Sequence, residues 1–151
     1  MWDGESITTQ LNSSTYPAAQ WCSNLSIGGY TDWYLPAVDE LELCYRNLKP
    51  TSDSNYTSNV TRNDIGSVTN GTNPNSDPEG SGYTTSNPSQ TSVSIFQSGN
   101  SESFTSTFYW TSTEYAGTTT YTWRQYFYNG DQGNYPKDGP NYVRAIRKVS
   151  L

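Results

Sequence analysis

The chain of 151 residues contains no histidine, and that absence removes whole classes of chemistry. Ser-His-Asp and Cys-His catalysis and His-ligated zinc all require an imidazole. Basic residues are scarce, with 8 Lys and Arg against 14 Asp and Glu, a net charge of −6. That balance argues against nucleic acid, heparin-like polyanions or an anionic membrane as partners. No apolar run approaches the roughly 20 residues that span a bilayer, so membrane insertion is not expected. Residues Met1 to Glu5 carry neither a basic nor an apolar signal region. Aliphatic side chains are also few: 5 Ile, 7 Leu and 6 Val. In their place stand 5 Trp, 13 Tyr and 4 Phe, large enough to build a core by themselves.

Three regions follow along the chain. In residues 1–50, Pro17 opens a helical segment with Ala18, Trp21, Cys22 and Leu25 on one stripe, and Gly28-Gly29 closes it. An extended piece, Tyr30 to Pro36, leads to a second helix from about Ala37 to Leu48. That helix has Val38, Leu41 and Tyr45 on one face, Asp39 and Glu40 in its first turn and Arg46 near its end. In residues 51–100, Ser, Thr and Asn fill 27 of 50 positions, with no sustained period. The reading is a loop-rich insertion over about 51–107, held at Val60, Ile65, Val68, Val93, Ile95 and Phe96 and open to partial disorder. Residues 108–149 are β-like. Trp123 and Phe127 alternate with Arg124, Tyr126 and Tyr128, and Asn129-Gly130 signals a hairpin turn. A Gly- and Pro-rich loop then runs to Pro140, and Tyr142 to Arg147 reads as a closing strand.

Cys22 and Cys44 fall on the two helices, as buried small groups or as a disulfide. Asp39, Glu40 and Glu42, with Asp64, Asp77 and Glu79, read as solvated charge and helix-start electrostatics. Asn-X-Ser/Thr sequons at Asn12, Asn24, Asn55, Asn59 and Asn70 are a by-product of composition. The concentration of Tyr and Asn after Tyr115 resembles an antibody paratope in composition, rigid amphipathic rings among adaptable amides.

Gly28 to Leu41 (GGYTDWYLPAVDEL) resembles the GGY-DW-LP-x-x-EL signature of the DUF1566, or Lcl C-terminal, domain. Tyr109 to Tyr115 (YWTSTEY) resembles its YWSSTEY motif, and Asn141 to Arg147 (NYVRAIR) its YVRAVR strand. The resemblance implies a C-type-lectin-like α+β fold: two helices on a small twisted antiparallel sheet, one domain over 1–151. It also implies a non-enzymatic display domain of a phage tail fibre or tail tip, virion-borne and without cofactor. Its partners would be a host cell-surface protein or glycan and other fibre subunits, in multivalent or homo-oligomeric form. The alternatives are a structural virion or surface-decoration domain, or a bacterial surface adhesin domain. In related targets of diversity-generating retroelements the variable positions lie between the last two motifs. Carried over, they are Tyr115, Thr119, Tyr121, Arg124, Tyr126, Tyr128, Asn129, Asp131, Gln132, Asn134, Tyr135 and Asn141, with Trp123 and Phe127 as framework. The EPN, QPD and WND signatures of calcium-dependent lectins are absent, so calcium-dependent sugar binding is not expected. Both cysteines lie in the first third, unlike the late reactive pair of formylglycine-generating enzymes. Trp2 to Leu11 is the candidate opening strand. Glu114 is expected to pair with Arg144 or Arg147.

Overall fold

A computed structural model describes residues 3–62 and 64–149. Its described elements are three α-helices, one 3-10 turn and two antiparallel sheets. The helices are α1 (Gly4–Gln10), α2 (Pro17–Ser23) and α3 (Val38–Leu48). A two-stranded ribbon, β1 (Asn59–Arg62) and β2 (Gly66–Thr69), lies in the insertion. The second sheet has the order β3 (Phe108–Glu114), β4 (Tyr121–Tyr126), β5 (Gln132–Pro136).

The stretch expected to open the fold as a strand is helical instead; Trp2 lies outside the described residues. Asp3 caps α1 by accepting from the Glu5 and Ser6 amides. Thr8 ties the helix down: its buried hydroxyl donates to Leu35 O at 3.3 Å and accepts from Leu35 N at 3.0 Å. The second point of attachment is Glu40, whose Oε2 accepts from Gly4 N at 3.1 Å and Ala37 N at 2.8 Å. One carboxylate thus closes the first turn of α3 and holds α1 beside it. Gly4 is needed there, since a Cβ would sit 2.5 Å from Leu35 O.

Helix α2 starts at Pro17 as expected, but the buried side is Ala19 and Cys22, and Trp21 points outward. Helix α3 follows its pattern closely, with Val38, Leu41 and Tyr45 buried. The two faces of the larger sheet are covered differently. On one, Leu41, Tyr45, Tyr83, Phe104, Tyr109 and Phe127 form an aromatic core beneath α3. On the other, Trp110 packs with Ala19, Cys22 and Leu35 under α1 and α2. The thiols therefore sit in separate clusters, and both are free. Burial pushes each up to about 12.

Polar groups, not the predicted aliphatic anchors, hold the insertion. Val93 and Ile95 are about half exposed, and Val60, Ile65, Val68 and Phe96 are only partly covered. Arg62 is 1% exposed and lies 2.6 Å from Asp39, with Asp64 as a second partner at 3.1 Å. Asn73 donates to Glu42 Oε2 at 2.8 Å and to Asp39 O at 3.0 Å. Asn55 and Lys49 share the Pro88 carbonyl. Asp39 and Glu42 are thus buried ion-pair partners, not solvated charges. The sequon asparagines Asn55 and Asn70 are buried as well. A segment poor in hydrocarbon is held by hydrogen bonds because its buried amides and guanidinium must all find partners.

Candidate functional site

Strand β4 is the centre of the sheet, and its register sorts the site residues. Directly paired residues share a face. Phe108 pairs with Tyr126, Trp110 with Arg124, Gly133 with Arg124, and Tyr135 with Thr122. These make the outer face. Tyr109, Trp123, Gln125, Gln132 and Asn134 make the inner one. The alternation read from the sequence holds, with Trp123, Gln125 and Phe127 buried and Arg124, Tyr126 and Tyr128 outward.

The turn after β4 is longer than an Asn-Gly pair alone. Phe127 leaves the ladder for the aromatic core, where it is 0% exposed, and the chain returns through Gly130. Gly130 has φ 78°, and a Cβ there would strike Tyr45 at 2.5 Å. The Asn129 side chain accepts from Asp131 N at 3.1 Å. From the insertion, Asn70 reaches in, donating to Gly130 O at 2.9 Å and accepting from Gln132 N at 3.0 Å. The insertion thereby fixes the turn that aims the outer face.

Part of the expected loop is the strand β5, and the expected closing strand is only an extended segment. It makes a parallel bridge between Tyr142 and Tyr109 and an antiparallel bridge between Ile146 and Tyr34. The ion pairs differ too. Glu114 pairs with Lys137, Arg144 with Glu102, and Arg147 with Asp32.

The predicted site residues divide into four groups. Arg124, Tyr126, Tyr135 and Asn141 come together on the outer face, with Tyr128 exposed beside them and half-buried Asp131 on the adjoining strand entry. Tyr115, Tyr121 and Asn134 lie toward the inner side, where the Tyr115 ring meets Trp123 edge-on at 5.9 Å. Thr119 is exposed in the β3–β4 loop, and Asn129 is occupied in the turn. Gln132 leaves the displayed set altogether: it is 2% exposed, because the register opposes it to the buried Gln125.

At the centre of the outer group is the Arg124 guanidinium. Its carbon lies 3.7 Å from the Phe108 ring centroid and 3.9 Å from that of Tyr135. Phe108 stacks in turn on Tyr126, at 4.4 Å and 13°. Nη1 donates to Asn141 Oδ1 over 3.3 Å, while Nε and Asn141 Nδ2 find no acceptor. Burial lowers the Arg124 pKa and raises that of Asp131, the nearest acidic influence. Phe108 and Gly133 are missed by the sequence reading. The Phe108-Trp110 alternation in β3 was the available signal for the first, and nothing short of the register marks the second.

A cavity of about 910 Å³ opens beside this face, between α1–α2 and the irregular middle of β3. Leu11, Trp110 and Val143 line it, with Tyr16 and Trp21 toward solvent, and the buried Ser112 hydroxyl in its wall has no partner. Among the described residues no group of three or more Cys, Asp or Glu is placed to hold a metal ion. No described helix is long and apolar enough to cross a membrane.

These features define a small α+β domain with an aromatic-lined outer sheet face. The chain matches the Lcl C-terminal domain over residues 1–147 and belongs to that family. No curated protein and no solved structure matches it.

Proposed function

We propose that this domain is a non-enzymatic recognition module of C-type-lectin-like fold, carried on a phage tail fibre or tail tip, that binds a component of the host surface. The observation that carries the reading is the Phe108–Arg124–Tyr135 stack, a half-buried cation with unused donors set among outward tyrosines. Tyr128, Tyr135 and Tyr142 present roughly half-exposed rings, which supply contact area at low entropy cost. The face rests on two cores and a hydrogen-bonded turn, so it is preorganised, and binding loses little to ordering. Single contacts of this size are modest, and several copies on one particle multiply them.

The test is adsorption of the multivalently presented protein to intact host cells, with and without a calcium chelator. Saturable binding that survives the chelator and vanishes in the Tyr126→Ala, Tyr128→Ala double variant is expected. Undiminished binding by a folded double variant would remove the outer face from the reading. Absence of binding by the folded, multivalent wild type would favour a structural virion role.

A further inference from the structure

We infer that Arg124 anchors the carboxylate of an acidic sugar on the outer sheet face. This deepens the recognition reading above by naming the chemistry the site takes. All eight basic residues are described, and six lie within 4 Å of a carboxylate: Arg46, Arg62, Lys137, Arg144, Arg147 and Lys148. Lys49 is saturated differently, donating to Asp53 O, Asn55 Oδ1 and Pro88 O. Among the described residues Arg124, like Lys49, has no anionic partner within ion-pair distance, but unlike Lys49 it is not saturated by hydrogen bonds. Its one hydrogen bond is the long contact to the Asn141 amide, and Nε and Nη2 have none.

The surroundings decide what completes it. Arg124 Nε and Asn141 Nδ2 are buried donors without acceptors, Nη2 makes no hydrogen bond within the protein, and an oxyanion is a ligand that only accepts. Aromatic faces flank the guanidinium from both neighbouring strands, so an oxyanion meets it edge-on, where the planar fork can make two parallel contacts to a carboxylate. Directly across the ladder, Gly133 leaves room: a Cβ there would meet nothing within 4 Å. Only one negative charge is accommodated, because no second unpaired cation is at hand, Asp131 lies nearby and the protein carries a net charge of −6. A singly charged ligand with an apolar, hydroxyl-bearing body fits what remains. The exposed rings of Tyr128, Tyr135 and Tyr142 offer stacking surfaces to a sugar ring.

The experiment is calorimetric titration of the purified protein with the methyl glycosides of N-acetylneuraminic acid and glucuronic acid. Methyl glucoside and an acidic tripeptide serve as comparators. At least one acidic sugar is expected to bind, with methyl glucoside weaker by about tenfold or more. Arg124→Met, which keeps an apolar stem between the rings, is expected to lose binding by a similar factor. Gly133→Glu, which sets a carboxylate opposite Arg124, is expected to suppress binding, and Gly133→Ala to retain it. Binding by folded Arg124→Met equal to wild type would overturn the inference. So would methyl glucoside or the tripeptide binding as tightly as the better of the two acidic sugars, or binding of neither acidic sugar. Host-cell adsorption that depends on Tyr126 and Tyr128 without acidic-sugar binding would leave the recognition reading standing and remove this one. Acidic-sugar binding through Arg124 without adsorption would do the reverse.

Discussion

Arg62 in the insertion and Arg124 on β4 are both enclosed cations, and the protein treats them in opposite ways. Arg62 is shut away from solvent and meets Asp39 and Asp64. Arg124 is only half-buried, meets two rings and an amide, and keeps donors in reserve. The first arrangement is closed: each charge answers another, and the pair joins the insertion to α3. The second is open on one side, held in shape by packing rather than by charge. The neutralised cation serves the fold, whereas the Arg124 charge is answered by no carboxylate within ion-pair distance among the described residues.

The sharpest way to break this comparison is Arg62→Met. It strands Asp39 as a buried unpaired carboxylate, and a loss of about 3–5 kcal/mol is expected in urea denaturation. A loss below 1 kcal/mol would mean that the insertion does not depend on the pair. Next comes Asn70→Ala, which removes both hydrogen bonds to the β4–β5 turn. We expect a loss of about 1–3 kcal/mol, with added exchange of the Gln132 amide measured by hydrogen exchange. Arg124→Met should cost about 1 kcal/mol or less, since no carboxylate is stranded. A cost matching that of Arg62→Met would erase the distinction between the two arginines.

Smaller effects test the same contrast through titration. Burial holds the Asp131 carboxyl above its ordinary value, so the folded state favours the neutral acid. Stability therefore falls as pH rises from the unfolded value through the folded one. Asp131→Asn is expected to raise the melting temperature at pH 7 and leave it unchanged below the unfolded carboxyl pKa. A lower melting temperature at pH 7 would show that Asp131 serves Arg124 as a structural counter-ion. Finally, both thiols are held up to about 12 by burial, so alkylation at pH 8 should be slower than for a free cysteine. Rapid labelling of the native protein would show that one of the two clusters opens.

The elements that were legible are those whose signals are local. Pro17 marks the start of α2, the Val38-Leu41-Tyr45 face marks α3, and the Trp123-to-Tyr128 alternation gives both faces of β4. Helix α1 was misread because its stability comes from Thr8 and Glu40 meeting Leu35 and Gly4, contacts up to 36 residues apart. Strand β5 was hidden by its Gly and Pro, tolerable on the edge strand of the sheet. Gln132 was placed on the outside because composition does not reveal which face a residue joins. That depends on the register with Gln125, and a shift of one residue reverses it.

By itself, then, the amino-acid sequence determined the family, helices α2 and α3 and the inside–outside alternation of the central strand, since each motif or pattern involved depends on residues within a few positions of one another. Only the tertiary structure decided that the insertion is pinned by Arg62, Asn70 and Asn73, and that Phe108 and Tyr135 close on Arg124. Those arrangements join side chains from separate strands and loops, and the need to satisfy buried polar groups is met only once the chain has folded.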